Sequence, residues 1–176
     1  MFYTPRFVLS SRMQKSFLAF IVSVVICSCT FNPPPDNSGK EFLQGFWTED
    51  SIPFENKLVS FEKYHFKFVC DSFYLNIKNY SKINLDGGEC YNQNEWQEYV
   101  KGTYKVKQDT LHLEGAFVSA TYRFKPQGDC YRFGNFKEEF IIKKISADTL
   151  ELNNTVTPLP HIIVLKEKSS CNTATK

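Results

Sequence analysis

Three short segments of this 176-residue chain follow one pattern: Asp, then Ser or Thr, an apolar residue, a variable position and Leu. They are Asp71-Ser-Phe-Tyr-Leu75, Asp109-Thr-Leu-His-Leu113 and Asp148-Thr-Leu-Glu-Leu152, spaced 38 and 39 residues apart. Around the middle copy, Tyr104 and Val106 alternate with polar neighbours before Gln108-Asp109, and Leu111 and Leu113 alternate after it. Apolar residues two apart on both sides of a polar turn read as a β-hairpin. An Asp at such a turn can accept a bond from the backbone N–H two residues on. A hairpin used three times predicts an antiparallel, all-β domain with Asp71, Asp109 and Asp148 at its turns.

The remaining strand signals fit that plan. Apolar alternation or aromatic enrichment marks 41–50, 58–69, 72–83, 96–107, 110–113, 120–125, 140–145, 149–152 and 161–165. Two long polar loops lie between them, 85–94 and 127–137, the second holding Cys130-Tyr-Arg-Phe-Gly134. No segment keeps a helical period. The 17 Phe and 9 Tyr bury large areas and favour strands, so a domain over 42–168 can build a sizeable core. Eight or nine strands with short hairpins suit an up-and-down barrel, which leaves no free edge. Residues 169–176 read as a frayed tail.

The first 28 residues read as a lipoprotein signal peptide. Arg12 and Lys15 form its charged start, and 17–27 is an apolar run of 11 residues, short of the roughly 20 that span a bilayer. The run ends in Ile26-Cys27-Ser28-Cys29. This resembles the bacterial lipobox, which implies cleavage before Cys29 and acylation of that residue. Met13 is a possible alternative start. Residues 29–41, with Pro33-Pro34-Pro35, read as a stiff tether between the acyl anchor and the barrel. Thr30 rather than Asp follows the lipid site, and no acidic cluster follows it. An outer-membrane lipoprotein facing the periplasm is the expectation.

Gly45-Phe46-Trp47 on the first strand looks like the Gly-x-Trp signature of lipocalins. With the repeated hairpins and the lipobox, the chain resembles small lipocalin-like lipoproteins of Bacteroidetes. The Thr-Asp-Tyr and closing Arg motifs are not recognisable, so the resemblance is to the architecture. It implies that Trp47 closes one barrel end and that the other end is a mouth.

Charge excludes one partner class. Arg6, Arg12 and Lys15 lie in the leader; of the 21 basic residues, 18 remain from Cys29 onward, against 19 acidic ones. No basic excess is left to attract nucleic acid. Lys143-Lys144 and the lysines at 166 and 168 read as solvated strand edges. The three histidines, His65, His112 and His161, have no spacing that converges on a metal, and no cofactor motif is present. Glu138 and Glu139 are adjacent on a strand, so they face opposite ways and cannot act as a pair. No nucleophile elbow is present, nor the Gly-Ser-Ser loop of a fumarate hydratase, so the chain reads as a non-enzyme.

The aromatic set, Phe46, Trp47, Phe66, Phe68, Phe73, Trp96, Tyr104, Tyr122 and Phe124, could line a ligand cavity or fill the barrel, since eight strands enclose just enough room to be packed solid. No charged residue stands out among the inward positions. Two functions follow: a tethered barrel that binds a small apolar or amphipathic ligand, or a solid barrel whose loops dock another envelope protein. A cavity of roughly 300 Å³ or more reaching 86–95 or 127–137 would favour the first.

Cys70, Cys90 and Cys130 are the disulfide candidates, as an oxidising compartment allows. Counting 96–107, 110–113 and 120–125 as three strands puts Cys90 and Cys130 at opposite ends of the barrel. That favours Cys70–Cys130 over Cys90–Cys130 and leaves Cys171 in the tail.

Overall fold

The computed structural model describes residues 39–84, 89–91, 94–127, 130–154 and 156–171. Residues 1–38, which hold the expected signal peptide, Cys29 and most of the expected tether, and residues 172–176 lie outside the described residues. Eight strands are described: β1 Gly45–Thr48, β2 Ser60–Val69, β3 Ser72–Ser81, β4 Glu95–Lys107, β5 Thr110–Val118, β6 Asn135–Lys144, β7 Thr149–Asn154 and β8 His161–Lys168. Each pairs antiparallel with the next, and β1 pairs with β8, so the sheet closes into an up-and-down barrel.

The tripled motif does the same work at each site. Cys70 and Gln108 take left-handed φ values of 53° and 55°, which two-residue hairpin turns require. The Asp carboxylate accepts the hydroxyl of the next residue: Ser72 at 3.1 Å, Thr110 at 3.2 Å and Thr149 at 3.2 Å. These hydroxyl bonds stand in place of the expected N–H two residues on. Each Asp carbonyl also accepts an N–H from the strand beyond its own hairpin, from Tyr104 at 2.9 Å, Ile142 at 2.7 Å and Leu165 at 2.8 Å. The motif therefore ends one hairpin and extends the pairing to its neighbour. Its apolar and Leu positions, Phe73 and Leu75, Leu111 and Leu113, Leu150 and Leu152, all point inward and are buried.

The three turns lie at one end of the barrel, where β1 begins and β8 finishes. This end is closed. Trp47, fully buried, donates its indole N–H to the Leu43 carbonyl at 2.7 Å. Gln44 donates to the Cys70 carbonyl at 2.9 Å and the Tyr104 hydroxyl at 2.8 Å, and accepts the Cys70 N–H at 2.7 Å. Lys40 N–H reaches the same Tyr104 hydroxyl at 3.0 Å. Residues 39–41, expected as tether, thus belong to the barrel floor. Gly39, at φ +66°, passes so close to the Cys70 carbonyl that a Cβ would stand 1.7 Å from it.

Above this floor, Phe66, Phe68, Phe73, Leu75, Val100, Leu113, Phe140, Leu152 and Ile163 fill the lower barrel. Phe73 pairs with Gly102 and Phe136 with Gly115, and the two ring centroids lie 6.2 Å apart. The two glycines let β4 and β5 approach so closely that a Cβ on Gly102 would stand 2.1 Å from the Glu114 carbonyl oxygen. Each buried aromatic of this kind contributes about 1.5–3 kcal/mol by leaving water.

Residues 120–125 are not a strand. Tyr122 has a left-handed φ of 56°, which an extended run cannot contain, and its N–H donates back to the Ser119 carbonyl at 2.8 Å. A single bridge, Val118 with Phe124, is what remains of the alternation. Only β4 and β5 therefore separate the Cys90 loop from the Cys130 loop, and both lie at the end opposite the turns. The favoured Cys70–Cys130 bridge is corrected accordingly: Cys90 bonds Cys130, and Cys70 bonds Cys171 at the closed end. Cys171 is no part of a free tail. Ser169 just before it donates its N–H to the Gln44 carbonyl at 3.4 Å.

Candidate functional site

The loops between β1 and β2, β3 and β4, β5 and β6, and β7 and β8 all stand at the open end. They surround a pocket of about 640 Å³ whose walls include Ile52, Tyr64, Tyr91, Trp96, Pro158 and Leu159. Six large apolar side chains on or beside these loops are exposed: Phe54, Val59, Ile83, Phe124, Phe133 and Val156.

Of the aromatic candidates, only Trp96 lines this pocket. Trp47, Phe66, Phe68, Phe73 and Tyr104 fill the core beneath it or form the floor. Phe46 turns outward on β1. Tyr122 packs outside the barrel against Tyr74 and Tyr99, at 5.1 and 5.7 Å, and Phe124 is 88% exposed. The lower barrel is solid and holds five of the nine aromatic candidates, and the upper barrel is open with Trp96 alone of them on the pocket wall.

Strand alternation carries charge into the open half, against the expectation from sequence. On β4, Glu98 lies two residues after Trp96 and two before buried Val100, and its side chain is 3% exposed. Arg132, from the loop after β5, reaches in to meet it. Its backbone N–H donates to one Glu98 oxygen at 2.7 Å, and Nε and an Nη donate to the other at 2.8 and 2.6 Å. The same Nη contacts Glu62 of β2 at 3.0 Å, and Asn79 of β3 donates to Glu98 at 3.1 Å. Burial pulls the Arg132 pKa down, but the Glu98 bonds and the charges of Glu62 and Glu98 outweigh it and hold the guanidinium firmly protonated.

Across the pocket, Asn154 donates to Glu138 at 2.6 Å. His161 stacks on Tyr64 with ring centroids 4.1 Å apart, above the edge of Phe140. Its Nδ1 lies 2.9 Å from Glu49, a fully buried carboxylate that also accepts the Tyr64 N–H at 3.0 Å. The second Glu49 oxygen has no partner among the described residues, nor does the Trp96 indole nitrogen. Burial, then the neighbouring Glu62 charge, push the Tyr64 phenol well above its ordinary pKa, so it stays a donor to Glu62 at 3.1 Å. Glu139, by contrast, faces outward and meets His112 at 3.0 Å.

The Arg132 cluster gives a first prediction. Arg132→Met leaves Glu98 buried without its cation and should destabilise by about 2–3 kcal/mol, below the ~3–5 of a fully buried pair because the Arg132 side chain is 42% exposed. Adding Glu98→Leu should restore most of the loss. Urea denaturation of the two variants checks it; an additive loss in the double variant would show that the pair is not coupled.

Sequence reasoning missed Arg132, Glu49, Glu62, Glu98, Glu138 and His161 as one group. Comparison with protein-family models, curated proteins and solved structures finds no match.

Proposed function

We propose that this protein is a lipocalin-like, lipid-anchored barrel of the bacterial outer membrane, facing the periplasm, which binds a small amphipathic ligand at its open end. The observation that carries the reading is the division of one barrel into a packed floor and an open pocket of about 640 Å³, within the ~300–1,000 Å³ range of small-molecule sites. Two disulfides suit an oxidising compartment. The Ile26-Cys27-Ser28-Cys29 box supports an acyl anchor on Cys29. The accessory reading, in which the loops dock another envelope protein, draws on the six exposed apolar side chains around the mouth.

Tryptophan fluorescence tests the choice, because the two tryptophans occupy different places. Trp96 lines the pocket and Trp47 lies buried in the floor. Titration with fatty acids and other envelope lipids should change the emission, and Trp96→Phe should abolish the change while Trp47 emission persists. No response to any of them, together with co-purification of an envelope protein, would favour the accessory role.

A further inference from the structure

We propose that the pocket selects a ligand with a cationic head, an organic ammonium carried on a short apolar body. This rests on the binding reading above and names its ligand class. Four carboxylates stand in or directly behind the pocket wall: Glu62, Glu98, Glu138 and Glu49. Among the described residues one guanidinium, Arg132, faces them, shared between Glu98 and Glu62, and the His161 imidazole lies against Glu49. Among the described residues Glu138 has the neutral amide of Asn154 as its hydrogen-bond donor. Glu49, completely buried behind Tyr64 and His161, keeps one oxygen without a partner among the described residues. Among the described residues the lysines around the mouth already have partners: Lys63 bonds Glu55, Lys82 the Asn56 carbonyl, Lys125 the Cys130 and Arg132 carbonyls, and Lys166 Asp50. Excess negative charge therefore remains inside a partly enclosed, low-dielectric space, where it acts more strongly than at the surface.

The aromatic wall points the same way. Trp96 and Tyr91 meet edge to face at 5.1 Å on one side of the pocket, and Tyr64 lies on another. Ring faces attract cations, and quaternary ammonium groups are recognised by such surroundings. An anionic head would meet Glu138 and Glu62, and the cations among the described residues around it are already paired.

The test titrates the purified full chain with three water-soluble probes of equal length, octyltrimethylammonium, octanol and octanoate, following Trp96 emission. The cation should bind at least roughly tenfold more tightly than octanoate, with octanol between them. Glu138→Gln should reduce the advantage of the cation over octanol severalfold, and an unchanged far-UV circular dichroism spectrum and thermal melt show that the variant is folded. If octanoate or octanol binds as tightly as the cation, or if Glu138→Gln leaves the preference intact, the ligand class is wrong while the binding pocket stands. If none of the three nor any envelope lipid perturbs Trp96, the binding function itself falls.

Discussion

Trp47→Ala lowers the free energy of unfolding by about 3–5 kcal/mol, while Phe46→Ala, one position earlier, costs less than about 1 kcal/mol. The two residues are adjacent in sequence and opposite in environment. Trp47 is fully buried and Phe46 is 37% exposed. Removing the indole empties a space bounded by Phe66, its partner on β2, and by Leu165, its partner on β8. It also removes the donor to the Leu43 carbonyl, so a buried acceptor loses its bond. The strands around the gap are fixed by pairing on both sides and cannot collapse far into it. Urea denaturation followed by circular dichroism measures both variants. Equal losses would mean that β1 presents its other face to the core.

Losing the Cys70–Cys171 bridge should cost about 4–5 kcal/mol in the chain-entropy account, since it closes a loop of 101 residues. Losing Cys90–Cys130, which closes 40, should cost about 4 kcal/mol. Stability alone therefore separates the two poorly, and location separates them well. Cys70 and Cys171 lie at the floor, remote from the pocket. Cys90 and Cys130 join two loops that carry Tyr91 and Arg132 to its wall. Paired serine replacements at 70 and 171 should melt earlier yet bind ligand as before when folded. The same replacements at 90 and 130 should melt earlier and weaken binding by roughly tenfold, as mobile loops must be ordered by the ligand. Thermal melts beside fluorescence titrations read both effects, and peptide mapping without reductant should recover 70 with 171 and 90 with 130.

The fold was legible because its signal is local. A turn, two alternating flanks and a repeat distance are all properties of neighbouring residues, and the three Asp turns follow from them. Alternation misled at 120–125, where Tyr122 and Phe124 are spaced like strand residues but a left-handed Tyr122 turns the chain. That one surplus strand reversed the disulfide assignment. The pocket was less legible. Alternation does place Glu62 in step with Tyr64 and Phe66, and Glu98 in step with Trp96 and Val100, so a strict count of inward positions finds both. Glu138 precedes Phe140 by two in the same way. Arg132 comes from a loop, where no period exists, and only the tertiary structure brings it to Glu98. The aromatic residues failed as cavity markers because alternation says which side of the sheet a ring takes, and not how far up the barrel it stands.

The seam between β1 and β8 sets the order in which this molecule can assemble. Every other pairing joins consecutive strands, and the three Asp turns bring such partners together over two to four residues. The seam joins the first strand to the last, so its loop-closure entropy is the largest of any pairing in the barrel. β1 contributes only four residues to it, and a bulge interrupts the register between Phe46 and Trp47. Loop-closure entropy therefore favours early hairpins and a late closing of the ring, and Trp47 on β1 is expected to seal the floor in that same step. Until then the nascent sheet keeps two open edges, and a second chain could pair with them. For this protein the exposed period of folding ends at the seam.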